Sequence, residues 1–228
     1  YFEHGGDPRG SDVIYDRGGA SVTTATPSEL PVGAIEGADL FYTSGITPAL
    51  SSTLADTTAA LLNAAQGAGV TTAFDLNYRS KLWSPDAAKA AYTSLFPHID
   101  TLVAAERDVN TCLDREGDAV EMANGLLHEY DFRTVVLTRG EHGSVAVHDG
   151  EVFEQDAYAA DTFDPVGSGD AFVGGYLAHR LHGGGVADAL AYGAAAASLK
   201  RTVDGDVAVV TPDEVEAVVE HDAGGLSR

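Results

Sequence analysis

Two rhythms alternate along this chain. Short runs rich in β-branched and aromatic residues give way to longer stretches in which Leu and Ala return every third or fourth position. Residues 38–43 read as a strand. Residues 51–66 read as a helix with Leu54, Leu61, Leu62 and Ala65 on one face and Gly67 and Gly69 ending it. Further strands are predicted at 70–76, 101–104 and 134–138, with helices at 85–96, 106–113 and 119–130 between them. Residues 144–148 and 151–153 form a hairpin around Asp149-Gly150. Helices at 170–182, 186–200 and 213–221 close the chain. Strand–helix alternation with short connections predicts an α/β fold, a mainly parallel sheet covered on both faces. Ahead of it, residues 1–4 and 12–17 look extended on either side of Gly5-Gly6-Asp7-Pro8-Arg9-Gly10, a hairpin or loop signal. Residues 18–31 are small and polar, a connector.

Composition narrows the class. The 228 residues suffice for one sizeable core and require no second domain. At 44% hydrophobic with dispersed charge, the chain reads as soluble and globular. It has no apolar run of membrane-spanning length and no basic-then-apolar leader. Cys112, the single cysteine, excludes an internal disulfide and fits a reducing, cytoplasmic setting. Because the sequence opens Tyr1-Phe2-Glu3 and not on Met, we expect an N-terminal portion to be missing. The net charge of −22 disfavours nucleic acid and anionic membranes as partners. The acid is spread along the chain, with Asp outnumbering Glu, which fits a solvated surface suited to high salt better than an interaction tail.

Candidate chemistry gathers where such a sheet places it, at the carboxyl ends of the strands. Ser44-Gly45-Ile46-Thr47-Pro48 follows the 38–43 strand, Asp75-Leu76-Asn77-Tyr78-Arg79 the 70–76 strand, and Arg139-Gly140-Glu141-His142-Gly143 the 134–138 strand. Asn77, Tyr78 and Arg79 offer a carboxamide, a phenol and a guanidinium for hydroxyls and an anionic group. Arg79 and Arg17 could equally pair with surface acid in so acidic a chain. The densest signal is Asp164-Pro165-Val166-Gly167-Ser168-Gly169-Asp170-Ala171-Phe172. A glycine-rich turn entering a helix leaves backbone N–H groups bare at a positive helix end, a seat for an anion. Asp170 sits at its mouth, where a carboxylate could take a proton from an attacking hydroxyl. The bland alternative is that Asp170 only caps the helix. No phosphate-binding Gly-x-x-x-x-Gly-Lys-Ser/Thr, no Gly-x-Gly-x-x-Gly after a strand and no Gly-x-Ser-x-Gly elbow occurs. His179 and His182 have no Cys or carboxylate companion at ligand spacing, so they read as a solvated helix face.

These residues carry a resemblance. The 164–172 stretch resembles the C-terminal signature of the ribokinase-like (PfkB) carbohydrate kinases. The stretches Thr43-Ser44-Gly45-Ile46-Thr47-Pro48-Ala49-Leu50-Ser51 and Phe74-Asp75-Leu76-Asn77-Tyr78-Arg79-Ser80-Lys81-Leu82-Trp83 are similar to 2-keto-3-deoxygluconate kinases. The resemblance implies a three-layer α/β/α ribokinase-like sandwich over residues 18–228 and the remnant of a small β lid over residues 1–17. It implies ATP-dependent phosphorylation of 2-keto-3-deoxygluconate, with fructokinase, ribokinase or a non-catalytic truncated sugar- or nucleotide-binding relative as alternatives. Asp170 would be the base, and the N–H groups of Gly167, Ser168, Gly169 and Asp170 the anion hole. Arg79 would grip the sugar acid and Asn77 would stand beside it, with Tyr1, Tyr15 and Arg17 closing over it from the lid. Thr138, Gly140 and Gly143 would line the ATP site, with Mg²⁺ on the ATP phosphates. Ala105 and Asp108 stand where the family has Asn-x-x-Glu, so the Mg²⁺-linked carboxylate carries over shortened and the amide does not. A monovalent cation, K⁺, is implied beside Asp164, and a homo-oligomer by pairing of lid hairpins. The family's early Gly-Gly substrate loop and first strands have no counterpart in this sequence.

Overall fold

The alternation of inward-facing side chains along four central strands decides how the layers form. In the computed structural model, which describes residues 2–3, 10, 12–14, 16–17 and 19–225, a six-stranded sheet runs through the molecule. Its strands are β3 (Leu40–Ser44), β4 (Thr71–Asp75), β5 (Thr101–Ala105), β6 (Thr134–Thr138), β7 (Ser144–His148) and β8 (Glu151–Gln155). They lie in sequence order: β3 to β6 are parallel, while β7 and β8 run antiparallel as a hairpin. Asp149 (φ 48°) and Gly150 (φ 83°) make the hairpin turn, both in the left-handed region that suits two-residue hairpin loops. Ahead of the sheet, β1 (Phe2–Glu3) and β2 (Asp12–Val13) pair antiparallel, as the hairpin signal predicts.

One face of the sheet presents Phe74, Leu102, Ala104, Val135, Leu137, Val145 and Val147 to four helices. These are α3 (Ser52–Gly67), α4 (Pro85–Leu95), α5 (Glu106–Leu113) and α6 (Ala119–Tyr130). The opposite face presents the smaller set Ala73, Val103, Val136 and Ala146 to α7 (Ser168–Leu181) and α8 (Val186–Lys200). The alanines let those two helices lie close, and α9 (Pro212–Gly225) packs behind α8 through Val215 against Ala195 and Ala196. Burying one large apolar side chain such as Phe74 or Leu137 stabilises the fold by about 1.5–3 kcal/mol. The expected three-layer α/β fold is therefore present.

Helix starts follow their caps. Ser51 accepts the N–H of Leu54 at 3.0 Å, Ser84 that of Ala87 at 3.3 Å with Pro85 as first helical residue, and Asp118 that of Glu121 at 2.9 Å. Two short helices, α1 (Val32–Glu36) and α2 (Ile46–Ala49), and 3₁₀ turns at Ser21–Thr24 and Pro27–Glu29 lie where the sequence reads only as connector or loop. These stretches are too short to show a period. Among the described residues, no helix is long and apolar enough to cross a membrane.

Candidate active site

Parallel strands β3 to β6 end at one edge of the sheet, and the loops leaving that edge enclose a cleft of ≈ 700 Å³. It brings together Asn77, Arg79, Asp108, Thr138, Gly140, Gly143, Gly167, Ser168, Gly169 and Asp170, all of them expected at a site from the sequence. Arg17 is half-buried and is not among the residues lining the cleft. Tyr1 and Tyr15 lie outside the described residues.

The anion seat is built around Gly167, the N-cap of α7, at φ 80°. A side chain there would collide with the carbonyl oxygen of Asp206, so conformation and space both require glycine. Ser168 turns back on the loop: its N–H donates to the carbonyl of Pro165 at 3.3 Å and its Oγ to the same oxygen at 2.8 Å. The bare donors of the first turn are thus left mainly to Gly167, Gly169 and Asp170. Asp170 is exposed and makes no N-cap bond; Gly167 holds that position. Its Oδ1 instead accepts the Asn77 carboxamide Nδ2 at 3.3 Å.

Asn77 reaches Asp170 because its backbone is left-handed, at φ 39°, unusual for a residue with a side chain. Asp75, at the end of β4, fixes that turn by accepting the Asn77 N–H on Oδ1 at 3.1 Å. Burial pushes the Asp75 carboxyl up to about 7; the Asn77 N–H opposes this, Asp170 and Asp108 push it further up, and Arg79 pulls it down. Tyr42 on β3 has its phenol raised first by burial, then by the charges of Asp75 and Asp170. Asp108, in the first turn of α5, is also buried. Its Oδ2 accepts the Tyr78 N–H at 3.2 Å and its Oδ1 lies 3.5 Å from Arg107 Nε. Burial raises its pKa against those two opposing partners. Arg79 Nη1 donates to the Tyr78 carbonyl at 3.0 Å. The loop carrying Asn77 and Arg79 is anchored from below. Tyr92 donates its hydroxyl to the Leu76 carbonyl at 2.8 Å, Tyr78 its own to the Trp83 carbonyl at 3.1 Å, and Trp83 packs edge-on to Tyr92.

The other lobe of the cleft lies over β6 and β7. Gly143 (φ 78°) turns the chain there, where a side chain would strike the carbonyl of Gln155. Arg139 Nη2 is 3.3 Å from Glu154 and donates to the Ser144 carbonyl at 3.4 Å. Among the described residues, the buried Arg139 Nε and Ser144 Oγ have no hydrogen-bond partner. Its flat wall comes from Ala194, Ala197 and Ser198 on α8 and from Tyr158, whose carbonyl accepts Arg201 Nη2 at 2.8 Å. The sequence reading passed over that wall, although a run of small residues on one helix is its signal. Among the described residues no three His, Cys, Asp or Glu side chains converge to hold a metal. Asp75, Asp108 and Asp170 are among the carboxylates lining the cleft, and a divalent ion here would draw part of its shell from phosphate oxygens.

Two expectations change on inspection, and one further residue is placed apart from the cleft. The α7 helix begins at Ser168, ahead of Asp170, which places Asp170 inside its first turn. His179 is not simply solvated: its ring packs on Tyr192 with centroids 4.1 Å apart, while His182 Nδ1 lies 2.7 Å from the Ala178 carbonyl. Asp164 does not line the cleft; it is buried beneath the anion seat at 2% exposure.

Comparison with known proteins gives the class of the chain. Residues 3–213 match the model of the pfkB family carbohydrate kinases. The chain is 58% identical over its whole length to a 2-dehydro-3-deoxygalactonokinase of Haloferax volcanii, covering 72% of that protein. It is 31% identical to a 2-dehydro-3-deoxygluconokinase of Thermoproteus tenax over 93% of this chain and 65% of that one. The crystal structure of a 2-dehydro-3-deoxygluconokinase from Thermotoga maritima superposes with a TM-score of 0.85 at 28% identity, covering 92% of this chain and 69% of that one. An E. coli protein solved in complex with ATP and Mg²⁺ shares the fold at a TM-score of 0.83 and 21% identity, over 92% of this chain and 68% of that one. A match over nearly the whole chain, together with the 58% identity to the Haloferax volcanii protein, shows that the chain belongs to the pfkB family of carbohydrate kinases.

Proposed function

We propose that this chain carries the catalytic cleft of an ATP-dependent kinase for a 2-keto-3-deoxy sugar acid. The acid would be 2-keto-3-deoxygluconate or its galactonate-derived epimer; the two differ in the orientation of one hydroxyl, and relatives named for each are similar to this chain. The observation that carries the reading is the placement of Asp170, at the α7 N-terminus and bonded to Asn77, in one cleft with Arg79.

In this mechanism Arg79 draws the carboxylate of the sugar acid to the Asn77 side of the cleft. Asp170 accepts the proton of the terminal hydroxyl as that oxygen bonds to the γ-phosphorus and the bond to the ADP oxygen breaks. The N–H groups at the start of α7 stabilise the charge on the moving phosphoryl oxygens. Proton removal comes late in such a loose transition state, so positioning matters more than the strength of the base. Thr138, Gly140 and Gly143 hold the nucleotide side, and Asp108 would help to hold a Mg²⁺ brought in on the phosphates, whose positive charge would offset theirs. One cysteine, kept as a thiol by burial that pushes it up to about 12, and a strongly acidic composition suit a reducing, salt-rich cytoplasm.

A coupled ADP-release assay on the full-length protein, with both 2-keto-3-deoxy acids, fructose and ribose, tests this. The acids are expected to be phosphorylated and the neutral sugars poorly so; equal rates on fructose would remove the role of Arg79, and inactivity on all four would return the non-catalytic reading. Asp170→Asn keeps an acceptor for Asn77 and is expected to lower kcat by about 10²–10⁴-fold with ATP binding retained.

A further inference from the structure

The family resemblance brings a monovalent cation to Asp164, and the structure finds that position already served. Asp164 lies in the loop between β8 and α7. Its Oδ1 accepts the N–H of Val166 at 2.9 Å and its Oδ2 that of Gly205 at 3.1 Å, so one carboxylate ties the loop before α7 to the loop after α8. The N–H groups of Phe163 and Asp164 both donate to the Arg201 carbonyl, at 2.7 and 3.1 Å. Gly167 rests against the carbonyl of Asp206. The chain from Arg201 to Asp206 is therefore the floor on which the anion seat stands.

Lys200, the last residue of α8, is fully buried at the centre of that floor. Its Nζ donates to the main-chain carbonyl of Asp164 at 3.2 Å and to that of Val203 at 3.2 Å. A lysine satisfying carbonyls just past its own helix is ordinary, and it accounts for Val203. It does not account for Asp164, 36 positions away and on the other side of the junction. A buried ammonium is costly unless oxygen donors surround it. Main-chain carbonyls beside a carboxylate are also what a dehydrated potassium ion requires, and ammonium and potassium are close in size.

We propose that Lys200 is a positioning residue that replaces the monovalent cation. Its ammonium, supplied by the chain itself, holds the loops before α7 and after α8 together and adds positive charge beneath the anion seat. The residues present do not fit a separate potassium ion beside Asp164. The kinetic arm of the test rests on the proposed phosphotransfer; the stability arm does not.

The full-length protein is held in tetramethylammonium chloride at constant high concentration while K⁺ or NH₄⁺ is exchanged in, with the thermal unfolding midpoint and the phosphotransfer rate as readouts. The wild type is expected to show no saturable response to either ion in either readout. Lys200→Ala is expected to lose about 100-fold in kcat, the cost of displacing a site from its productive geometry, and to regain rate and midpoint saturably with K⁺ or NH₄⁺. Lys200→Met fills the same space without charge and is expected to lose rate with no such recovery. A saturable K⁺ response of the wild type, or a Lys200→Met variant at the wild-type rate, would overturn the proposal. Should Lys200→Ala fail to fold, the wild-type and Lys200→Met arms still decide it. A wild type inactive on every sugar acid counts against the phosphotransfer reading, and its midpoints continue to decide the place of Lys200.

Discussion

Asp75 sits at the point where β4 ends and the substrate-side loop begins, and its burial sets a testable pH dependence. Its carboxyl is raised from 3.8 to about 7, first by burial and then, against the Asn77 N–H, by the nearby Asp170 and Asp108 carboxylates. The folded protein therefore favours the protonated form more than the unfolded chain does. The stability this contributes is full below the unfolded value and is lost as pH rises through about 7. Above that, folding must bury a charged carboxylate between two others. Asp75→Asn keeps an oxygen for the Asn77 N–H and cannot ionise. The difference in unfolding midpoint, variant minus wild type, is expected to be smallest below about pH 4, to grow in favour of the variant as pH rises to about 7, and to level off above that. A difference that stays level across that range would mean that Asp75 ionises as easily in the folded protein as outside it.

The α7 N-terminus is only as good as the turn that delivers it. Gly167→Ala must either leave φ 80° or push the Asp206 carbonyl aside, and strain of that kind costs on the order of 1–3 kcal/mol. A lower unfolding midpoint and a fall in kcat larger than any rise in the ATP KM are expected; unchanged kcat would show that the turn tolerates movement. The turn glycine was legible in the sequence, as were β3 to β8 and the helices from α3 onward. Each either carries β-branched, aromatic or aliphatic residues in a short run or is long enough to show a period, and Ser51, Ser84 and Asp118 mark helix starts with their side chains. The strand-end loops could be assigned to one site because parallel topology sends them to one edge. What stayed hidden arises between loops far apart in the chain. The Asn77–Asp170 bond spans 93 positions. The left-handed backbone of Asn77 depends on a carboxylate two residues earlier, and a lysine that reads as an ordinary helix end proves to be the buried centre of a junction. No local period encodes such contacts. Short α2 escaped for a related reason, since Ile46-Thr47-Pro48-Ala49 completes barely one turn.

At the scale of the whole molecule, 35 acidic residues against 13 basic ones leave most carboxylates without a cationic neighbour. Among the described residues, Lys89 pairs with Asp114 and Arg133 with Asp149 at the surface, and the half-buried Arg139 with the exposed Glu154. Such pairs contribute little singly, about 0–1 kcal/mol each, so they do not offset the repulsion among the remaining acids. Screening must do so, and the Debye length shrinks from about 10 Å at 0.1 M salt to about 3 Å at 1 M. The unfolded chain spreads the same charge over a larger volume, so low salt favours unfolding. Asp75 and Lys200 are insulated from this effect, because each is buried and interacts at short range. The unfolding midpoint at neutral pH is therefore expected to climb steeply between about 0.1 and 1 M NaCl. Replacing NaCl with an equal concentration of sucrose should not reproduce the climb. Nor should the gain depend on Lys200: the variants at that position are expected to shift in parallel with the wild type as NaCl rises. A midpoint insensitive to salt would mean that the acidic residues are neutralised by one another's pKa shifts, and a titration of bound protons against the composition would then show fewer than the −22 charges at pH 7.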